Sequence, residues 1–423
     1  MISGPPRGMR DFYPGDVRLR NWLFSLWREV SEAFGFSEYD GPVVESEELY
    51  TLKSGDEIVG QLYNFEDKGG RKLALRPEMT PTLARMIIAK GTSLPKPIKW
   101  FSIPQCFRYE RMSRGRKREH YQWNLDVIGV EEVTAEAEVI AAAIEFLRRV
   151  GLGKDDFVVF LSNRRLLAAL LKSKGLPDEK FADVCLVIDK KGKATDAALK
   201  AMMRETGLSD AMIGGVFEVL EIDTLAQAER VLVKANADLA PLDETKEVFE
   251  YLSHYNLPEF CRFDISIVRG LLYYTGPVFE FFDKERKFRA ICGGGRYDNL
   301  LESYGGGKVT AVGLGFGDVV ITEILAEKGL LPDFSHKLDY AVIPFSEQER
   351  KVATEISQSL RSKGKKVSMT LERKKLRKAL AEADKAGAEK VVIVAPDELA
   401  VGKVVVRDMR TGEEQAVPIE QLC

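Results

Sequence analysis

The sequence predicts a mixed α/β protein: an α+β main domain built on an antiparallel sheet flanked by helices, then a smaller α/β domain. Three observations carry that reading. The run IVRGLLYYTGPVFEFFDKERKFRAICGGGRYD, residues 267–298, holds two β-rich stretches joined by a charged turn. That is a hairpin pattern, and hairpins make antiparallel neighbours, which argues against an all-parallel nucleotide-binding sheet. Residues 160–255 read as mostly helical, interrupted at GLPDEK and GLSDAM, and so as an insertion. After GLLPDFSHK, residues 329–337, the strand-like LDYAVIPF, KKVSMTL and KVVIVAP alternate with helical segments. The boundaries expected are 1–328 for the main domain, 329–337 for a linker and 338–423 for the tail domain.

Within the main domain, Leu19, Trp22, Leu23, Leu26, Trp27, Val30 and Phe34 recur at helical spacing, and Gly35 ends the run. The wide apolar stripe reads as core, or in part as a dimer surface. A second helix follows Thr134, with Glu136 and Glu138 in its first turn and Gly151 as its stop.

Composition bounds the function. With 423 residues, 45% hydrophobic and 30% charged, the chain is of ordinary globular type, with two or three domains. No apolar run approaches the ~18 residues of a membrane span. MISGPPRGMRDF has neither the apolar core of a signal peptide nor transit-peptide character. A cytoplasmic protein is expected, or an organellar one whose presequence has been removed. Cys106, Cys185, Cys261, Cys292 and Cys423 form no CxxC pair, and His120, His254 and His336 are as scattered. With no HExxH and no GxSxG, zinc sites, disulfide frameworks and hydrolytic triads are disfavoured. A formal charge of −3 steers no polyanion, so any nucleic-acid binding must come from local patches.

One such patch is PQCFRYERMSRGRKREHYQWNLD, where five of the eight residues from Arg111 to Arg118 are cations. A period of two puts Tyr121, Trp123, Leu125 and Val127 on one face and Gln122, Asn124 and Asp126 on the other. Before the loop, Arg108 and Glu110 share a face and Phe107 and Tyr109 the opposite one. One face of this hairpin is core, and the other carries a cation, carboxylates and amides. Buried groups of that kind are paired, or wait for a ligand; the plain alternative is a salt-bridged sheet surface. Further on, ICGGGRYDN permits positive φ and close backbone approach, or is simply a tight turn. TAVGLGFGD is a strand with alternating glycines leading into a helix; it is no Rossmann fingerprint, and GGGKV is no P-loop. Its bare backbone suits a flat ligand. LRPEMTPT is a turn that opens a helix.

Taken together and in order, these segments resemble the class II aminoacyl-tRNA synthetases, and specifically the histidyl-tRNA synthetases. GMRDFYP looks like that family's N-terminal signature, YDGPVVE with Pro42 and Glu45 like motif 1, and FRYER…GRKREHYQW like motif 2. IVRGLLYYTG and AICGGGRYDNL resemble the two histidine-specific motifs, AVGLGFGD stands where motif 3 belongs, and the tail is similar to the anticodon-binding domain.

The resemblance implies a homodimeric ligase that uses ATP with Mg2+ to activate L-histidine and then charges tRNA(His). It implies an antiparallel catalytic sheet and no metal held by a side-chain motif. It assigns Arg108 and Arg269 to the α-phosphate, and Glu110, Arg116, Gly315 and Gly317 to ATP. Glu78 and Thr80 take the amino group of histidine, Gln122 its carboxylate, and Asp126 and Tyr274, with Tyr273 nearby, its imidazole. Arg114, Lys117 and Arg118 face the tRNA. A second basic patch, RSKGKK and ERKKLRK, lies in the tail.

Two positions depart from the commoner pattern. Leu272 stands for Asp in RGLDYY, and Val320 for the motif 3 Arg that binds the γ-phosphate. The GFGD form of motif 3 resembles that of plant-organelle and protozoan synthetases. Another cation, Arg116 or Arg118, is then needed at the γ-phosphate. The alternative function is a non-catalytic, histidine-sensing paralogue, the regulatory subunit of an ATP phosphoribosyltransferase, which would keep a histidine pocket and lose the ATP and tRNA contacts.

Overall fold

EHYQWNLDVI, Glu119–Ile128, is a ten-residue strand in the computed structural model of the chain, which describes residues 4–52, 59–192, 194–269, 273–335 and 337–422. Leu272 lies outside the described residues. The chain divides into two units, Met1–Phe12 with Arg20–Leu331 and Tyr13–Leu19 with Pro332–Cys423.

The first unit contains β1 (Ser37–Glu38), β2 (Val44–Ser46), β3 (Tyr63–Glu66), β4 (Lys72–Leu75), β5 (Ile98–Ser102), β6 (Gln105–Phe107) and β7 (Glu119–Ile128). It continues with β8 (Phe157–Asn163), β9 (Cys261–Phe263), β10 (Pro277–Asp283), β11 (Cys292–Arg296) and β12 (Ala311–Gly317). Among the described residues nine of these make one sheet, in the order β1-β5-β7-β12-β11-β10-β8-β9, with β6 also on β7. The outer strands β1 and β9 run parallel to their neighbours, and the other pairs are antiparallel. β2, β4 and β3 form a small antiparallel sheet of their own.

Register makes the large sheet two-faced. Trp123 pairs with Phe316, Leu125 with Leu314 and Phe101, and Phe279 with Leu161, so apolar residues line up on one face. Helices Pro14–Ala33 and Thr134–Arg149 cover that face. Leu23, Trp27 and Val30 from the first and Ile140, Ile144 and Phe146 from the second join the same core cluster. Trp27 and Trp123 stack with centroids 5.9 Å apart, and Trp123 Nε1 donates to Ser31 Oγ at 2.9 Å. On the opposite face the cross-strand rows read Ser102–Asn124–Gly315–Gly293–Glu280 and Trp100–Asp126–Gly313–Gly295–Val278. The core face is aromatic and aliphatic; the other is polar at its β7 side and glycine in its middle.

Arg296, inside the GGGRYD run, points to the core face. It is buried against Glu136 through two bonds of 2.6 and 2.7 Å and donates to the carbonyls of Val130 and Glu132, so it anchors the start of helix Thr134–Arg149. The helical stretch expected from about 160 begins at Arg164 instead. Phe157, Val159 and Leu161 alternate into the core, and that period makes 157–163 a strand. Helices from Arg164 to His254 then enclose a separate core of Leu167, Leu170, Val184, Met203, Val216 and Leu232.

In the second unit, β13 (Leu338–Pro344), β14 (Val367–Met369), β15 (Ala388–Val394), β16 (Lys403–Asp408) and β17 (Glu414–Pro418) order as β14-β13-β15-β16-β17. The first three are parallel, with helices Arg350–Ser362 and Leu376–Lys385 between them, and β16–β17 adds an antiparallel hairpin that the strand–helix alternation did not indicate.

Candidate active site

The polar face of the large sheet is closed by side chains from four chain segments. The first is the turn before helix Thr80–Lys90. Arg76 there is buried and structural: its Nη1 donates to Asp40 Oδ1 at 3.0 Å and to the Gly41 carbonyl at 2.8 Å, and its Nε to the Gln105 carbonyl at 2.9 Å. Two residues on, Glu78 is also buried. Its Oε2 accepts from Tyr273 Oη at 3.2 Å, while its Oε1 has no partner. Burial lifts the Glu78 carboxyl above its usual range, with Arg108 and Tyr273 pulling the other way. Thr80 opens the helix, and its side chain touches the Tyr273 hydroxyl.

The second segment is β6, the loop and β7. The strand ends at Phe107, so Arg108 and Glu110 stand on the loop rather than on a continued hairpin strand. The cause is local: Tyr109 turns out to bond the Gln61 carbonyl, while the Arg108 amide alone keeps the pairing, with Arg118. Arg108 Nε donates to the Pro77 carbonyl at 2.9 Å, which holds it beside Glu78; among the described residues its guanidinium has no carboxylate within 4.0 Å. Glu110 is buried and forms an ion pair with Arg116 Nε.

The loop tip is a two-residue turn, Arg114-Gly115, closed by reciprocal bonds between Ser113 and Arg116. Gly115 takes φ of 73°, which suits glycine there. Arg114 does not project freely. Its Nη2 meets Glu327 Oε2 at 2.7 Å, its Nε lies 3.6 Å from Glu323 Oε2, and its guanidinium sits over Phe288. Arg118 lies 3.8 Å over the Tyr109 ring and donates to the Glu110 carbonyl at 3.2 Å, so it is committed to shaping the loop. Lys117 has no ion pair within 4.0 Å among the described residues.

On β7, Gln122 Oε1 and Asn124 Nδ2 are buried without partners. Asp126 Oδ1 accepts from Tyr297 Oη at 2.5 Å, and burial pushes this carboxyl up to about 7 against the pull of that hydroxyl. The resemblance sets Asp126 and Tyr274 together at the imidazole and gives Asp126 no protein partner. The tyrosine bonded to it is Tyr297, and the Tyr274 hydroxyl lies against Arg269.

The third and fourth segments are 267–269 with 273–298, and 311–320. Arg269 takes φ of 58°, a conformation costing an L-residue about 1–2 kcal/mol. Its guanidinium is aimed over Gly293, where a Cβ would stand 2.6 Å from Nη1. Nη1 also bonds Glu280 Oε1 at 2.6 Å, and Nε is buried without a partner. Burial alone would lower the Arg269 pKa; Glu280 and Tyr274 more than offset this, and the group stays a cation.

Most of the glycines therefore make room for protein, not for a bare ligand surface. Arg269 fills the space over Gly293, Val278 and Tyr274 that over Gly295, Asp126 and Tyr297 that over Gly313, and Gln122 that over Gly315. Gly317 alone among these faces open space, with nothing within 4 Å of a Cβ there. Beside it Arg10, unnoticed in the sequence beyond its GMRDFYP setting, bonds Asp318 Oδ2 at 2.9 Å and Glu119 Oε1 at 2.5 Å. Asp318 Oδ1 in turn accepts from the Tyr121 amide. Arg10 thus ties β7 to the start of helix Asp318–Glu327. Tyr297 and Glu280 were missed as well; a period of two along GGGRYD and VFEFF would have put both on the site face.

Buried carboxylate, amide and guanidinium atoms without partners, on the polar face of a mostly antiparallel sheet of this order, match what the resemblance to class II aminoacyl-tRNA synthetases implies for a catalytic domain. Residues 8–317 match the profile of histidyl-tRNA synthetases, and 339–423 that of the anticodon-binding domain. The chain belongs to the histidyl-tRNA synthetase family. It is 45% identical to the chloroplastic/mitochondrial histidine–tRNA ligase of Arabidopsis thaliana, over 99% of this chain and 85% of that one. It is 42% identical to the histidine–tRNA ligase of Opitutus terrae, over 98% and 96%. The crystal structure of histidyl-tRNA synthetase from a Nostoc species superposes with a TM-score of 0.80 at 25% identity, covering 100% of this chain and 99% of that one. A Bacillus halodurans structure described as an ATP phosphoribosyltransferase regulatory subunit/histidyl-tRNA synthetase has a TM-score of 0.76, and at 23% identity it speaks for the fold alone.

Proposed function

We propose that histidine and ATP meet on the polar face of the large sheet, and that the residues around it divide the work as follows. As a member of its family the chain is a ligase that forms an aminoacyl-tRNA. It activates L-histidine with ATP to histidyl-adenylate, then transfers the histidyl group to the 3′ end of tRNA(His). In the first step a histidine carboxylate oxygen attacks the α-phosphorus. The bond from that phosphorus to the bridging oxygen of the β-phosphate breaks, and pyrophosphate leaves with the bonding pair. Negative charge builds on phosphate oxygens, and fixed cations are the means of stabilising it.

Arg108 and Arg269 are those cations at the α-phosphate. Among the described residues Arg108 has no carboxylate within 4.0 Å, and Arg269 is locked in direction by Glu280. Glu78 Oε1 accepts from the amino group of histidine, with Thr80 beside it, and Gln122 Nε2 donates to the carboxylate. Asp126 reads the imidazole, with Tyr273 and Tyr274 walling the pocket. Glu110, Arg116, Gly315 and Gly317 form the ATP side, where the open surface at Gly317 receives the flat base. ATP enters as its Mg2+ complex, the ion riding on the triphosphate. Lys117, with Arg114 and Arg118 in the same loop, faces the tRNA acceptor end.

The observation that carries this reading is a group of buried atoms without partners at that face, Glu78 Oε1, Asn124 Nδ2 and Arg269 Nε. Each costs about 1–3 kcal/mol if never satisfied, so a polar ligand is their natural complement. A regulatory paralogue would account for the histidine-side atoms but not for an Arg108 held free beside them.

Residues 1–328 are proposed as the catalytic core, with the helical insertion within them, and 338–423 as the anticodon-binding domain in the cytoplasm. A homodimer is proposed through the small β2-β4-β3 sheet, where Val43, Val44 and Phe65 are exposed. Among the described residues no helix is long and apolar enough to cross a membrane.

The test is histidine-dependent ATP–pyrophosphate exchange without tRNA. Exchange is expected, and Arg269→Ala should slow it by ~10² or more with the KM for histidine near normal. No exchange, with histidine still bound, would favour the regulatory reading.

A further inference from the structure

Val320 leaves the outer phosphates of ATP without the cation that its position usually supplies, and the loop arginines do not simply replace it. Arg118 is stacked on Tyr109 and bonded to a carbonyl, and Arg114 is held by Glu323 and Glu327. Arg116 is paired with Glu110. The structure brings in a cation from elsewhere. A Cβ on Gly115, at the loop turn, would stand 3.2 Å from Val320 Cγ2 and 3.9 Å from Arg289 Cδ. Arg289 comes from the β10–β11 connection, 174 residues further along the chain (289 − 115).

Arg289 is exposed, and among the described residues it has no carboxylate within 4.0 Å. Burial of its stem and the nearby Arg116 lower its pKa, while Glu110 pulls the other way. Glu110 is committed to Arg116, and Glu323 and Glu327 to Arg114, so no acid at the loop is left to pair with Arg289, which stands beside an apolar side chain. Its guanidinium is available to an anion supplied from outside.

We propose that Arg289, together with Arg116, binds the pyrophosphate end of ATP in place of the missing motif 3 arginine. This rests on the reading of the polar face as the ATP site. Arg289 reaches that place because the β10–β11 turn lies over helix Asp318–Glu327, with Phe288 under Arg114. It acts on substrate phosphates and not on the fold, since among the described residues its side chain makes no hydrogen bond or ion pair.

The experiment compares the full-length wild type with Arg289→Ala, Arg289→Glu and Arg289→Lys. KM values for ATP, pyrophosphate and histidine come from the exchange reaction. Single-turnover transfer from preformed histidyl-adenylate, and thermal melting, complete the set. Arg289→Ala should raise the KM for ATP and pyrophosphate by about tenfold or more, Arg289→Glu further, and Arg289→Lys should recover most of the loss. The KM for histidine and the melting temperature should stay put. Normal exchange by Arg289→Ala, from a wild type that exchanges, would overturn the assignment while sparing the site reading. So would slow transfer alone, which would make Arg289 a tRNA contact. A wild type without exchange would overturn both.

Discussion

Trp123 and Asn124 are neighbours in β7 and lie on opposite faces of it. Trp123 is wholly buried, its ring packed among Trp27, Phe146 and Phe316 and its one donor given to Ser31. Asn124 is nearly as buried, yet its Nδ2 has no partner. The same strand thus presents a finished surface and an unfinished one. The finished face supplies stability, and the unfinished face keeps hydrogen-bonding capacity that the fold itself does not use. A sheet can do both because its side-chain period is two, so the sequence rules for each face do not interfere.

The strongest way to break this comparison is to truncate each neighbour in turn. Trp123→Ala removes a large side chain from a close-packed aromatic cluster and should cost about 3–5 kcal/mol of stability. Asn124→Ala deletes an amide donor that the fold leaves unmet, and should cost about 1 kcal/mol or less while weakening substrate binding. Denaturant unfolding and exchange kinetics on the two variants give the contrast. Equal losses of stability would mean that Asn124 is a structural residue.

Asp126 sharpens the comparison through pH. Burial holds its carboxyl up to about 7 in the folded chain, against an ordinary 3.8, despite the Tyr297 hydroxyl. The folded state therefore prefers the protonated acid. That contribution is fully present below about pH 4 and is lost as pH rises through about 7, where the buried group must ionise. Asp126→Asn is neutral throughout. The melting temperature of the histidine-free wild type should fall relative to that of Asp126→Asn as pH is raised from about 4 to about 8. Parallel curves would show that Asp126 is already ionised with a partner and would remove its unfinished character.

The two faces were not equally legible. Alternation in YQWNLDV gave the core face and the opposite polar one directly, because a strand's period is local information. The glycine runs marked close approach correctly, but not by what. A sequence cannot say that Arg269 fills the space over Gly293, or that Tyr297 and not Tyr274 meets Asp126, because these contacts depend on strand order. Arg10 and Asp318 meet across 308 residues, and nothing local in either segment announces it. The charge run from Arg111 to Arg118 was visible as a run, while its division into paired and unpaired cations was not. That division depends on Glu110, Glu323 and Glu327, two of them on a helix far down the chain.

The loop's division gives the smallest expected effect, and it tests whether unfinished character extends to the tRNA side. Among the described residues Lys117 has no ion pair and Arg114 has two, so the same charge change means different things at the two positions. Lys117→Ala should lower charging of tRNA(His) a few-fold, reduce the salt slope of tRNA binding by about one, and leave exchange unchanged. Arg114→Ala instead frees Glu323 and Glu327 and unties the Arg114-Gly115 turn from the helix. Exchange and transfer should fall together there, with little change in the salt slope, because its charge is already neutralised within the protein. Should Arg114→Ala also lower the salt slope by about one, the helix glutamates must release Arg114 to the tRNA on binding, and the loop tip would be a switch between two ion-pair partners.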